Sequence, residues 1–233
     1  MDTIVYLGLI LIILILAAIL VRRYSSKNGF SEMADNLQYQ KESSRDNDEA
    51  LIFPELTKQN KKELIRIAKE AINTYIRSGD FLDCESQDTS LNYHLGVFVT
   101  LRKGEALRGC IGQLQSDDPL YQTVRDTAIS AATRDPRFIP VSEEELDQVS
   151  IKISILSPLI RVKDISEIEV GVHGVMIIHA GRRGILLPQV PVERGWDRTT
   201  FLENVCLKAG LPPDTWKENP QFYSFTTIEF GDE

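Results

Sequence analysis

The residues most able to do chemistry in this 233-residue chain stand in one short segment, "LRGCIG", residues 107–112. It interleaves a guanidinium, Arg108, and a thiol, Cys110, with two glycines, Gly109 and Gly112. Glycine weakens a strand interior and marks a bulge or a close approach by another group. Arginine is seldom buried without a partner. A cation close to a thiol favours the thiolate. The pair therefore reads as a nucleophilic or carrier thiol, Cys110, with Arg108 holding an anionic group. The same residues also allow plain packing, with Cys110 merely small and Arg108 paired to an acid.

The elements that must position this segment are legible around it. "GVFVTL" (residues 96–101) and "ALRGCIGQL" (residues 106–114) read as a hairpin turning at Lys103 and Gly104. Pairing Leu101 with Leu107 puts Val97, Val99, Leu101, Leu107, Gly109 and Ile111 on a core face. The other face then pairs Thr100 with Arg108, Phe98 with Cys110 and Gly96 with Gly112. In that register Gly109 lets the core side pack closely, while Gly96 and Gly112 leave room for a ligand or a loop.

Before the hairpin, Thr57 caps a helix through about Ser78, with Leu64, Ala68, Ala71, Ile72 and Tyr75 on one face and Gly79 as the stop. After it, Asp118 and Pro119 open a helix through about Thr133. Ser142 and Glu145 form a capping box for one short turn. "VSIKISIL" alternates as a strand, with Val149, Ile151, Ile153 and Ile155 on one face. Residues 172–190 read as a second hairpin turning between Gly181 and Gly184. Asp197 or Thr199 opens a helix to Ala209, and "QFYSFTTIEF" is a closing strand. Hairpins with helices between them predict an α+β fold with a largely antiparallel sheet and flanking helices.

The N-terminus differs from the rest. Residues 4–21 form an uncharged apolar run of 18 residues, followed by Arg22 and Arg23. That length is near the lower end of the roughly 17–25 residues a spanning helix needs. The pattern predicts a transmembrane anchor over residues 1–23, in contact with the lipid bilayer through residues 4–21. A cleaved signal or a buried helix are the other readings. The arginine pair places the C-terminal part in the cytoplasm, which gives a single-pass membrane protein with a cytoplasmic domain. Residues 24–50 are polar and lack an apolar period, so they read as a flexible linker or else an ordered surface helix. The folded domain is expected over residues 51–233.

Composition narrows the function. With 42% hydrophobic residues the chain can bury a core, and its net charge of −8 argues against a general nucleic-acid binder. No nucleic-acid partner is expected. Cys84, Cys110 and Cys206 are widely spaced, without a CxxC pair, so neither a metal site nor a disulfide framework is expected. No cofactor is legible in the residues.

"GVFVTLRKGEALRGCIG" resembles the signature of the AMMECR1 domain family. "AATRDPRFIPVSEEEL", "GVHGVMI", "GRRGILLPQVPVERGWD" and "FLENVCLKAGL" match further blocks of that family in order, over about residues 56–230. The resemblance implies a two-lobed α+β domain whose cleft is lined by the LRGCIG segment. Prokaryotic members resemble protein A of the AmmeMemoRadiSam system, which implies a radical-SAM protein and a Memo-like protein as partners in a modification pathway. Whether this chain is itself an enzyme stays open. Any iron–sulfur cluster would belong to the radical-SAM partner, because the three closely spaced cysteines are missing here. An N-terminal anchor is a departure from the soluble members.

The other blocks hold further candidates. His173 is a possible base for Cys110, or a turn histidine bonded to backbone. Arg134 and Arg137 suit a carboxylate or phosphate, or fix their own loop through Asp135 and the 143–145 acids. Gln189, between Pro188 and Pro191, presents an amide on a backbone too stiff for an ordinary strand. Glu193 is a possible general base and Trp196 a stacking wall, or core. Arg108, Cys110, Gln189 and Glu193 are expected on one concave surface. The binding residues would be Gly109, Gly112, Arg134, Arg137, Gln189 and Trp196. The other function class is a non-catalytic ligand- or protein-binding module in which Cys110 is structural.

Overall fold

The computed structural model describes residue 53 and residues 55–232. The anchor and linker readings, over residues 1–50, lie outside the described residues. Among the described residues no helix is long and apolar enough to cross a membrane.

The first helix, α1 (Lys58–Ser78), starts where the sequence says. Thr57 Oγ1 accepts the Asn60 N–H at 3.2 Å, and Asn60 Oδ1 accepts the Thr57 N–H at 2.9 Å. Each bond satisfies a donor that the first helical turn leaves unpaired. Leu64, Ile67, Ala68, Ala71 and Ile72 are buried, the spacing of one helix face. Gly79 ends the helix at φ 79°, a left-handed conformation that suits glycine.

Two strands follow, β1 (Val97–Lys103) and β2 (Ala106–Gln113), then α2 (Leu120–Thr133) and β3 (Val149–Leu156). Ser142 and Glu145 form the expected capping box on the short turn Glu143–Gln148. Next come β4 (Ile160–Arg161), β5 (Gly174–His179), β6 (Arg182–Leu186), α3 (Gln189–Arg194) and α4 (Arg198–Lys208). Two strands close the chain, β7 (Gln221–Phe225) and β8 (Thr227–Gly231). They build two four-stranded sheets, ordered β2-β1-β3-β8 and β4-β7-β5-β6, and all pairings are antiparallel. The α+β expectation holds.

Each sheet has its own apolar core. Leu64, Ile67, Val97, Val99, Leu101, Val124, Ile153 and Ile155 belong to the first. Val175, Ile177, Phe201, Val205 and Phe222 belong to the second. Truncating one such aliphatic side chain to alanine costs about 2–5 kcal/mol.

The two sheets are joined by one antiparallel ribbon. β3 and β4 run against β8 and β7, with Leu156 opposite Thr227 and Ile160 opposite Ser224. The expected single closing strand is therefore two, broken at Thr226 where the chain passes from one sheet to the other. Ser157 bridges the break. Its N–H donates to the Thr226 carbonyl at 2.9 Å, and its Oγ accepts the Thr226 N–H at 2.9 Å. Pro158 follows, which has no N–H to offer a ladder.

The second hairpin turns more tightly than expected. His179 pairs with Arg182, so the turn is Ala180–Gly181, at φ 47° and 74°. Two residues with positive φ give the turn whose twist matches flanking strands. Gly184 lies inside β6, where a side chain would meet the backbone of Val205 and Ala209 on α4. Gln189 also differs from expectation. The Pro188–Pro191 stretch forms the short helix α3, because a proline in the first turn sacrifices no helical hydrogen bond.

Candidate functional site

The hairpin that carries Cys110 is shifted from the register expected. Thr100 faces Cys110, Phe98 faces Gly112, Leu101 faces Gly109, and Arg102 faces Leu107. Arg108 has no partner of its own, so it is the extra residue of a β-bulge. A bulge reverses the alternation of faces on one side of it. Leu107 therefore leaves the core face and is 38% exposed.

The bulge also decides what Arg108 does. Its Nε donates to Glu145 Oε1 at 3.1 Å and its Nη2 to Glu145 Oε2 at 2.8 Å. Nη1 donates to the Ile139 carbonyl at 2.9 Å, and Nη2 also reaches the Pro140 carbonyl at 3.2 Å. The side chain is 11% exposed. The Arg108 fork holds Glu145 well below its ordinary 4.5, at about 2, assisted by the Ser142 N–H and Lys103. Arg108 thus ties the "RDPRFIP" loop to β2. Its planar fork is filled from within the fold, as in the reading that pairs it to an acid.

Arg137 is the cation beside Cys110. Asp135, 5% exposed, accepts the Cys110 N–H through Oδ2 at 2.8 Å. Arg137 Nη2 reaches the Cys110 carbonyl at 3.3 Å and Asp135 Oδ2 at 2.7 Å, while its Nε reaches Asp135 Oδ1 at 2.9 Å. The Arg137 fork, seconded by the amides of Cys110 and Arg137, holds the Asp135 carboxyl far below the usual range. β2 is an edge strand, and this pair occupies the outward backbone groups of Cys110 as a neighbouring strand would. Since those groups point away from β1, Cys110 and Thr100 form the closer kind of cross-strand pair. The Thr100 hydroxyl accordingly lies 3.3 Å from Cys110 Sγ.

The glycines have separate reasons. A side chain at Gly109 would collide with the Ala131 carbonyl of α2, so the helix packs there against bare backbone. A side chain at Gly112 would collide with the Phe98 ring, and one at Gly96 with the backbone of Gln113 and Leu114. The opening expected at Gly96 and Gly112 is therefore filled.

The face of the first sheet opposite its core assembles the site. Its rows follow from the register: Cys110, Thr100, Lys152 and Gly231 in one, Gly112, Phe98, Ser154 and Glu229 in the next. Lys152 Nζ pairs with Glu229 Oε2 at 2.9 Å, and the Ser154 hydroxyl donates to Glu229 Oε1 at 2.8 Å. The Arg137–Asp135 pair is the loop-fixing alternative read from the sequence, whereas the Asp135 bond to the Cys110 N–H, the Arg108–Glu145 pair and the places of Thr100, Lys152 and Glu229 were not anticipated. The strict alternation of "VSIKISIL" was the available signal for Lys152 and Ser154 sharing a face.

The remaining candidates lie elsewhere. His173 Nδ1 accepts the Glu169 N–H at 3.0 Å, and its own N–H donates to the Glu169 carbonyl at 2.9 Å. It closes its own turn, bonded to backbone. Gln189 begins α3, and its Oε1 is buried without a partner among the described residues. Glu193 is exposed on α3. Trp196 packs against the second core. No hydrogen bond or ion pair among the described residues joins any of these to Arg108 or Cys110. Arg134 is exposed at the end of α2. Cys206 is buried in the second core, where burial pushes its thiol pKa up. Among the described residues no group of His, Cys, Asp and Glu could hold a metal ion.

The AMMECR1 family model matches residues 65–230. A protein of Methanopyrus kandleri is 40% identical over 188 residues, which cover 76% of this chain and 91% of that protein. A protein of Methanocaldococcus jannaschii is 43% identical over 170 residues, covering 69% and 84%. The crystal structure of an uncharacterized Pyrococcus horikoshii protein superposes with a TM-score of 0.73 at 37% identity, covering 76% of this chain and 94% of that one. That neighbour has the same α+β arrangement of antiparallel sheets and helices. The chain belongs to the AMMECR1 family.

Proposed function

We propose that this AMMECR1-domain protein uses Cys110 as a working thiol in a modification pathway shared with a radical-SAM protein and a Memo-like protein. The observation that carries the reading is the treatment of Cys110. Asp135 and Arg137 hold its backbone N–H and carbonyl at the sheet edge, while the residue is partly exposed, with its thiol beside the Thr100 hydroxyl. Fixed backbone and accessible side chain suit a reacting group. The link to the two pathway partners rests on the sequence blocks of the family. The apolar run at residues 4–21 and the Arg22/Arg23 pair support a membrane tether with the domain on the cytoplasmic side.

The second reading is a ligand- or protein-binding module in which Cys110 is structural. The internal use of Arg108 favours it, since an anion clamp in this segment has no free fork. One experiment separates the two. Full-length protein is treated with iodoacetamide and the three cysteines are followed by peptide mass spectrometry. In parallel, Cys110→Ser is compared with the unaltered chain in cells that depend on it. The thiol reading expects Cys110 to react first and Cys110→Ser to lose function at unchanged stability. A fully functional Cys110→Ser establishes the binding module instead.

A further inference from the structure

Two strands from Cys110, across Thr100, the polar face of the first sheet opens into a shallow, open depression of about 700 Å³. Arg102, Ser150, Lys152 and Glu229 line it, together with Gly104, Glu105 and Gly231. The register orders these groups relative to the thiol. Cys110 faces Thr100, and Thr100 faces Lys152. Arg102 follows Thr100 on the same face of β1, about 7 Å along the strand. It pairs with Ser150, which makes Lys152 its diagonal neighbour, about 7–8 Å away and within reach of two long side chains.

The charges are not equally committed. Both oxygens of Glu229 are taken, one by Ser154 and one by Lys152, and Lys152 keeps two ammonium protons free of that pair. Arg102 donates Nη1 to the Glu105 carbonyl at 2.9 Å and has no carboxylate partner among the described residues. That bond anchors the guanidinium without neutralising it. Glu105, exposed in the β1–β2 turn, also lines the depression, but no ion pair joins its carboxylate to Arg102. An anchored guanidinium with no ion-pair partner, diagonal to an ammonium with spare protons, is a donor set for a planar carboxylate.

We propose that this depression is a carboxylate subsite: Arg102 and Lys152 bind the carboxylate of a small molecule whose far end lies over Thr100 at Cys110. The direction of the ligand rests on Cys110 being the working thiol; the carboxylate site rests on Arg102 and Lys152 alone. It also assigns the segment after Leu101, which the bulge separates from the Cys110 register, to ligand selection.

The test uses full-length protein in nanodiscs and maleimides with and without a carboxylate. Second-order rates of Cys110 modification are measured by peptide mass spectrometry for N-ethylmaleimide and for 3-maleimidopropionate and 6-maleimidohexanoate. Each rate is divided by that of free cysteine with the same reagent. The expected result is a rate advantage of about tenfold for one of the carboxylate reagents, the size of one charge-assisted pair. Arg102→Gln and Lys152→Gln should each remove most of that advantage, read within each variant as the ratio of the carboxylate reagent's corrected rate to that of N-ethylmaleimide. Equal corrected rates for all reagents, or an advantage that survives both substitutions, overturns the subsite. If N-ethylmaleimide does not modify Cys110, the thiol reading fails on its own. The subsite is then read from a glutarate titration, with amide shifts at Arg102 and Lys152 that saturate in the unaltered chain and vanish in Arg102→Gln. Absence of those shifts overturns it.

Discussion

Asp135 accepts the backbone N–H of Cys110 at 2.8 Å from a loop 25 positions further along the chain. The carboxylate is almost wholly buried and bonded on both oxygens. It thereby fixes the strand edge at the thiol and the arginine beside it in one arrangement. Asp135→Asn keeps the shape but removes the charge that Arg137 faces, and it presents an amide where an acceptor is needed. The expected loss is about 2–3 kcal/mol, seen as a lower urea midpoint at unchanged slope. Cys110 should also react with iodoacetamide at an altered rate. An unchanged midpoint would mean the edge strand does not need its clamp.

Gly109 and Gly112 should respond differently to alanine. At Gly109 the new Cβ meets the Ala131 carbonyl, which is helix backbone and cannot turn aside. The cost should be about 1–3 kcal/mol or more. At Gly112 the obstacle is the Phe98 ring, a side chain that can rotate away. Gly112→Ala should therefore cost less and should uncover the face beside Cys110. Thermal melts of the two variants decide this, and equal losses would contradict it.

Acid should loosen the Cys110 hairpin in a defined window. Glu145 has an ordinary value of 4.5 and titrates at about 2 in the folded chain; the Asp135 carboxyl is also depressed. A group depressed by folding binds its proton more readily in the unfolded chain. Its contribution is therefore complete above about pH 4.5 and is lost as pH falls toward 2. Glu145→Gln should flatten the fall in stability over that window and lower the plateau above it. A urea series at stepped pH measures both.

Ser157 carries the joint between the sheets. Ser157→Ala removes the acceptor of the Thr226 N–H and leaves that donor unpaired where the ribbon bends. A loss of about 1–3 kcal/mol is expected. Hydrogen exchange should show it at the Thr226 amide, and an amide still protected in Ser157→Ala would refute the assignment.

The membrane tether has its own test. Full-length protein should sediment with membranes and resist extraction by carbonate, while a chain lacking residues 1–50 should be released and remain folded. A truncation that aggregates would assign the apolar run to the core instead.

The sequence by itself determined the elements with local causes. The Thr57 cap, the Gly79 stop, the alternation of Val149 to Ile155 and the capping box at Ser142 each depend on residues within a few positions. They could be read without knowing what packs on them. The family blocks likewise singled out Cys110 and the "RDPRF" loop, without saying that they meet. Tertiary structure decided how those parts meet. The bulge at Arg108 depends on Glu145 and the Ile139 and Pro140 carbonyls, more than 30 positions away. No alternation pattern encodes it, and together with a turn at Gly104–Glu105, one residue later than expected, it moved the partner of Cys110 by two positions, from Phe98 to Thr100. The same distance in sequence hid the choice of Arg137 over Arg108 as the neighbour of Cys110. Which of two arginines faces a thiol is settled by which carboxylate each one finds, and only the folded chain brings those carboxylates within reach.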